Sequence, residues 1–234
     1  MTNSPILEPV APELLRSLRD HVHERLRRAI VAGQFAEGEK LNERQLSEQF
    51  GVSTTPVKDA IRKLESEGLV RTEARRGVFV EFSAKQALQM ALARAGLESI
   101  MTHIAANRIT DEGLAELERC ISEMERATRF GELEEIVALN ETYHHAIHKI
   151  SGCDYLATRL DGQRLYDTAQ RIALLGNTEQ RAQGFTEHRE IFEAIAKRDA
   201  KAAEHLMRRH IVRSAQSHVR IIFGAEVEGV GYDI

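Results

Sequence analysis

The 234-residue chain contains no tryptophan, and aromatic residues of any kind make up only 5% of it. Binding of single strands by stacking bases on aromatic platforms is therefore a poor fit. Cys120 and Cys153 are the only cysteines; they cannot build a disulfide framework and do not form a C-x-x-C pair, which suits a reducing cytoplasm. No apolar run approaches the ~20 residues needed to span a bilayer. The polar segment from Met1 to Pro12 lacks the basic stretch that opens a signal peptide. A cytoplasmic protein that does not use a membrane is expected. A strong excess of one charge is missing too. Lys and Arg number 32 against 36 Asp and Glu, net −4, so the whole chain is not a polycation that coats nucleic acid indiscriminately.

With 42% hydrophobic and 29% charged residues the composition is that of a globular protein, and the length favours two domains. The pattern changes near Ser83. Before it, Leu15, Leu18, Val22, Leu26 and Ile30 recur at steps of three and four, the spacing of an amphipathic helix. Gly33 and Gly38 punctuate the connection to a second helix, Glu43 to Phe50, with Asn42 as N-cap and Gly51 as stop. Ser53 caps a third helix running to about Gly68, with Pro56 harmless in its first turn and Val57, Ile61, Leu64 and Leu69 as its buried stripe. Leu69–Thr72 and Val78–Phe82 then read as a hairpin around Ala74-Arg75-Arg76-Gly77. After Ser83 the spacing predicts helices over roughly 84–107, 111–129, 132–151, 154–175, 179–197 and 199–223. The expected fold is thus mainly α: a winged helix-turn-helix over 14–82 and an all-helical bundle over 83–224. Residues 1–13 are expected as a flexible N-terminus and 225–234 as a loose tail.

In a winged helix-turn-helix the third helix presents its N-terminal residues to the major groove. Here those are Ser53, Thr54, Thr55 and Lys58, with Arg62 one turn on. Hydroxyls beside free helix N–H groups suit phosphate, and Lys58 can reach a base edge or a phosphate. Arg44 opens the preceding helix, and Arg75, Arg76 and Gly77 form a wing tip that fits a minor groove. Residues 1–83 hold 13 basic and 13 acidic side chains, so the balance alone equally describes a solvated surface.

The text from Gly38-Glu39-Lys40-Leu41-Asn42-Glu43-Arg44-Gln45-Leu46 through Gly51-Val52-Ser53-Thr54-Thr55-Pro56-Val57-Lys58-Asp59-Ala60-Ile61 strongly resembles the GntR superfamily of bacterial transcription regulators. The resemblance continues in Leu64-Glu65-Ser66-Glu67-Gly68-Leu69-Val70 and Arg76-Gly77-Val78-Phe79-Val80, and covers about residues 14–82. It implies double-stranded operator DNA as partner, contacted by Arg44, Thr54, Thr55, Lys58, Arg76 and Gly77. Thr54 and Lys58 stand where the family usually has Arg. Without those bidentate donors the usual operator of the family is not carried over.

In the second half, Asn140 and His144 lie four apart on one helix face, and His188 and His210 fall on two further helices. Three inward imidazoles from three helices can close a metal site in a bundle, and histidines in helices are also common as satisfied core or surface residues. Both readings remain open on spacing alone. Arg94-Ala95-Gly96-Leu97-Glu98, Asn140-Glu141-Thr142-Tyr143-His144-His145, Glu187-His188-Arg189-Glu190 and Met207-Arg208-Arg209-His210-Ile211 are similar to the FCD effector domain of the FadR subfamily. That resemblance implies a divalent ion (Zn, Ni or Mn) on Asn140, His144, His188 and His210. Asn140 stands where many members have an Asp or Asn and offers a neutral amide rather than a carboxylate, and His145 and His148 match no ligand position and are expected to face outward. It also implies a small carboxylate effector, with Arg94 as clamp and Arg171 as second candidate. No H-E-x-x-H motif accompanies the histidines, so sensing is favoured over catalysis. The composite expectation is a homodimeric, ligand-released repressor and not an enzyme. A metal-free regulator with structural histidines and a helical metalloenzyme fused to a DNA-binding module are the competing readings.

Overall fold

The computed structural model describes residues 12–161 and 171–224, with side chains from residue 18 and excluding that of Asp161. The expected loose tail, most of the N-terminal segment and the middle of the 154–175 helix lie outside the described residues. Two compact units meet in sequence at Phe82 and Ser83.

The first unit is built from α1 (Pro12–Val31), β1 (Lys40–Leu41), α2 (Glu43–Phe50), α3 (Thr54–Ser66), β2 (Val70–Glu73) and β3 (Gly77–Val80). Asn42 starts α2 by accepting from the N–H groups of Arg44 and Gln45 at 3.0 and 3.2 Å. Gly51 stops α2 in the left-handed region at φ 65°, which a residue with a Cβ adopts only at a cost. The chain then turns directly into α3. Val22, Leu26 and Ile30 from α1 join Leu46 of α2 and Val57, Ile61 and Leu64 of α3, all buried, in one small core. Leu18 departs from the expected stripe: it is exposed.

The wing has three strands where the hairpin reading gives two. β3 is central, pairing antiparallel with β2 on one side and with β1 on the other, Lys40 opposite Phe79 and Leu41 opposite Val78. A two-residue strand has no period to detect in sequence; its pairing is set by tertiary contact.

The second unit is all helical: α4 (Ala84–Arg108), α5 (Asp111–Phe130), α6 (Leu133–Ser151), α7 (Asp154–Asp161), α8 (Thr178–Ala196) and α9 (Ala200–Phe223), with residues 171–175 helical as well. Side-chain caps begin four of these helices, from Ser83, Thr110, Asn177 and Asp199. Leu117, Met124, Tyr143, Ile147, Ile191, Ile195, Met207 and Ile211 interdigitate in its core. The inward face of α4 is unusual in carrying Arg94, Glu98, Ser99 and Thr102, all buried. Charged groups persist in such surroundings only when paired. No described helix is long and apolar enough to cross a membrane.

Candidate functional sites

On the first unit, Arg44, Ser53, Thr54, Thr55, Lys58, Arg62, Arg75 and Arg76 are all exposed, and Gly77 is half-buried. Ser53 takes the extended conformation of an N-cap, yet its hydroxyl makes no capping bond. The opening N–H groups of α3 are thus not claimed by that side chain. Lys58 reaches back to Glu43 at 3.7 Å, tying α3 to the start of α2, while Arg44 pairs with Glu48 at 3.3 Å and Arg62 with Asp59 at 3.5 Å. These exposed pairs are worth little each and break easily in favour of a phosphate. At the wing tip Arg75 sits at φ 63°, Arg76 pairs with Glu73, and both Arg71 and Arg76 lie over the Phe79 ring. Gly77 is at φ 116°, and a Cβ there would stand 2.7 Å from Lys40 Cε.

In the second unit His144 from α6, His188 from α8 and His210 from α9 converge, offering ligand atoms within 4.8 Å of one another. His144 and His188 face each other through Nε2 at 3.3 Å. Two nitrogens each ~2.0–2.1 Å from one ion lie about 3–3.5 Å apart, so the donor spacing suits a divalent metal. Burial keeps all three imidazoles in their neutral, ligating form. It holds His144 down at about 3, against the pull of Glu98, and it lowers His188 and His210, the former also repelled by its histidine neighbours. Nδ1 of His144 is 2.6 Å from Glu98 Oε2, and Nδ1 of His210 is 2.6 Å from Glu187 Oε2. Burial opposes charge on Glu98, yet Arg94 and then His144 hold its carboxyl well below the usual range, so it is ionised. A neutral imidazole facing a carboxylate donates its proton, which places the proton on Nδ1 and leaves Nε2 with its lone pair.

Asn140, buried on α6 one turn before His144, lines a cavity of about 30 Å³ beside the cluster, together with His144, His210, Arg94, Arg171 and Arg213. The structure therefore groups Asn140 and the two arginines expected from sequence around the histidines. Arg94 is buried rather than on the surface, with Nε 2.6 Å from Glu98 Oε1, and Arg171 is 3.4 Å from Glu141. Sequence alone does not single out Glu98, Glu187 and Arg213, because a glutamate or arginine in a helix ordinarily faces water. The one available signal was the four-residue spacing of Arg94 and Glu98 on one face. His148 corrects the expectation that it faces outward: its Nε2 lies 3.2 Å from Glu98 Oε2, because it follows His144 by four residues and shares its face. His145 is exposed, as expected.

A winged helix-turn-helix followed by an all-helical unit is the architecture of a DNA-binding transcription regulator. Residues 18–80 match the gntR family of bacterial regulatory proteins, and residues 89–213 match the FCD domain. The chain belongs to the GntR family, in its FCD-containing branch. It is 32% identical over 186 residues to the uncharacterized HTH-type transcriptional regulator YdhC of Bacillus subtilis, covering 78% of this chain and 82% of that protein. It is 26% identical over 218 residues, 93% of each chain, to the HTH-type transcriptional repressor RspR of Escherichia coli. The solved structure of E. coli McbR/YncC shares the fold with a TM-score of 0.60 at 21% identity, covering 88% of this chain and 97% of that one. The relatives are transcription regulators rather than enzymes.

Proposed function

We propose that the protein is a cytoplasmic repressor that binds a two-fold operator as a homodimer and releases it when a small organic anion enters the bundle beside a divalent metal. The observation that carries this reading is the convergence of His144, His188 and His210 on one another, with His144 and His210 also lining a cavity walled by Arg94, Arg171 and Arg213. His144, His188 and His210 would hold the ion and Asn140 would add a neutral oxygen; Zn, Ni and Mn all accept such a donor set. The bound ion would supply positive charge for an anionic guest. The arginines orient a carboxylate in the same space.

The cavity holds about 30 Å³, room for about two waters, so an organic acid fits only if the bundle opens around it. A ligand that prefers this opened arrangement shifts the population towards it. Coupling to release further requires the opened arrangement to present the two winged units at a spacing that no longer matches the half-sites.

On the DNA, Ser53, Thr54 and Thr55 with the opening N–H groups of α3 receive phosphate, Lys58, Arg62 and Arg44 face groove or backbone, and Arg75, Arg76 and Gly77 enter the neighbouring minor groove. A mobility-shift assay on the DNA upstream of the protein's own gene, at stated salt, tests the reading. Binding to that fragment over a scrambled one, relieved by one member of a panel of carboxylic acids, is expected. Equal binding to both fragments overturns it.

A further inference from the structure

Two chains of side chains run from the cavity wall to the histidine cluster. In the first, Arg94 Nε donates to Glu98 Oε1 at 2.6 Å, and Oε2 of the same carboxylate faces His144 Nδ1 at 2.6 Å. In the second, Arg213 lies with Nε 2.5 Å from Glu187 Oε1 and donates a terminal N–H to Oε2 at 2.9 Å, while that oxygen faces His210 Nδ1 at 2.6 Å. Each chain starts at an arginine lining the cavity and ends at an imidazole of the cluster. They arise from different helices: Arg94 and Glu98 on α4 with His144 on α6, and Arg213 and His210 on α9 with Glu187 on α8.

We propose that Glu98 and Glu187 are positioning residues that fix the tautomer and aim of two metal ligands, and that Arg94 and Arg213 tie their strength to the charge in the cavity. The inference rests on the metal and anion reading above. Glu98 Oε2 also lies 3.2 Å from His148 Nε2, and in each chain one carboxylate serves both the arginine and the imidazole. Both of its bonds draw on the same negative charge, and with Glu98 and His144 almost wholly shielded from water that competition is poorly screened. An anion seated against the arginine takes up part of the guanidinium charge and leaves the carboxylate a stronger acceptor for the imidazole N–H. A stronger acceptor at Nδ1 makes Nε2 a better donor to a cation. Anion and metal therefore bind with positive cooperativity, and by linkage each strengthens the other by the same factor.

The relay is tested first without metal and without variants, by nitrogen chemical shifts of the histidine rings in the metal-free protein. His144 and His210 are expected as Nδ1–H tautomers; either ring protonated at Nε2 alone overturns the assignment. Zinc alone is then titrated against a chromophoric chelator. Glu98→Gln and Glu187→Gln are each expected to weaken zinc about 10–100-fold. Glu98→Asp, which keeps the charge, restores part of the loss and serves as control should Glu98→Gln fail to fold. Arg94→Gln frees Glu98 for His144 and is expected to tighten zinc several-fold. Loss of a nearby positive charge alone would act equally with or without Glu98, whereas the relay requires a distinctly smaller effect in the Glu98→Gln background. Unchanged zinc affinity in Glu98→Gln, or equal effects of Arg94→Gln in both backgrounds, overturns the relay and leaves the metal reading standing. No zinc uptake by the wild-type protein overturns both.

Discussion

Tyr143 donates its hydroxyl proton to the main-chain carbonyl of His188 at 2.9 Å, across 45 positions of sequence. The phenol is fully buried, and its ring packs edge-on against both His144 and His188. The bond thus ties α6 to α8 at the level of the histidine cluster. Tyr143→Phe keeps the ring and removes the bond. It is expected to lower stability by about 0.5–1.5 kcal/mol in urea unfolding and to weaken zinc binding. Unchanged zinc affinity would show that the bond secures only the packing.

Zinc is expected to raise the melting temperature of the protein, since binding to the folded state alone adds ~2.7 kcal/mol when zinc reaches a hundred times its Kd. His188→Ala removes one of the three histidines proposed to hold the ion. The zinc-dependent increment in its melting temperature should vanish even though the variant has its own, lower baseline.

Glu67, which caps α3, joins His23 and Arg27 of α1 through contacts of 2.9 Å each. Burial opposes charge on this carboxyl, but the His23 hydrogen bond and then Arg27 outweigh it and hold the pKa below 4.5. A group whose folded pKa is depressed stabilises the fold above its unfolded pKa and loses that contribution as pH falls through the folded one. The stability gap between wild type and Glu67→Gln should therefore be full near neutral pH and shrink as pH drops below about 4.5. Denaturant unfolding of the first unit across that range reads it directly.

Arg76→Ala is expected to weaken DNA binding by a similar factor on operator and scrambled sequences and to flatten the salt dependence by about one unit of slope. Lys58→Ala, placed on α3, should instead narrow the difference between the two sequences. A mobility-shift series over salt concentration separates the two behaviours.

Gly77→Ala should destabilise the wing on the order of 1–3 kcal/mol, because φ 116° is a backbone conformation that alanine rarely adopts. Lys40 can swing its tip away, so the backbone strain and not the contact sets the cost. Loss of DNA affinity with the melting temperature of the helical unit unchanged is the expected result.

Where local chemistry decides an element, the sequence was legible. Asn42 and Gly51 mark the two ends of α2, and Val57, Ile61 and Leu64 announce the buried face of α3. The winged helix-turn-helix followed by an all-helical bundle was readable from these signals, and the positions of His144, His188 and His210 came from resemblance and not from their spacing. What stayed hidden depends on neighbours distant in sequence. Lys40 and Leu41 become a strand only because Phe79 and Val78 stand opposite. Glu98 is buried because Arg94 and His144 compensate it from two helices, and no pattern local to α4 reveals the second partner. The inward turn of His148 is hidden for the same reason: its carboxylate, Glu98, lies fifty residues upstream.

The short strand β1 has a consequence for how far the first unit can be taken apart. Its two residues precede α2, yet they close the far edge of a sheet whose other members follow α3. The wing is therefore not an appendage that can be trimmed to leave an intact three-helix core. Deleting 70–80 would strand Leu41 without its partner at the doorway to α2, so shortened versions that keep only the helices should be poor folders and not merely poor DNA binders.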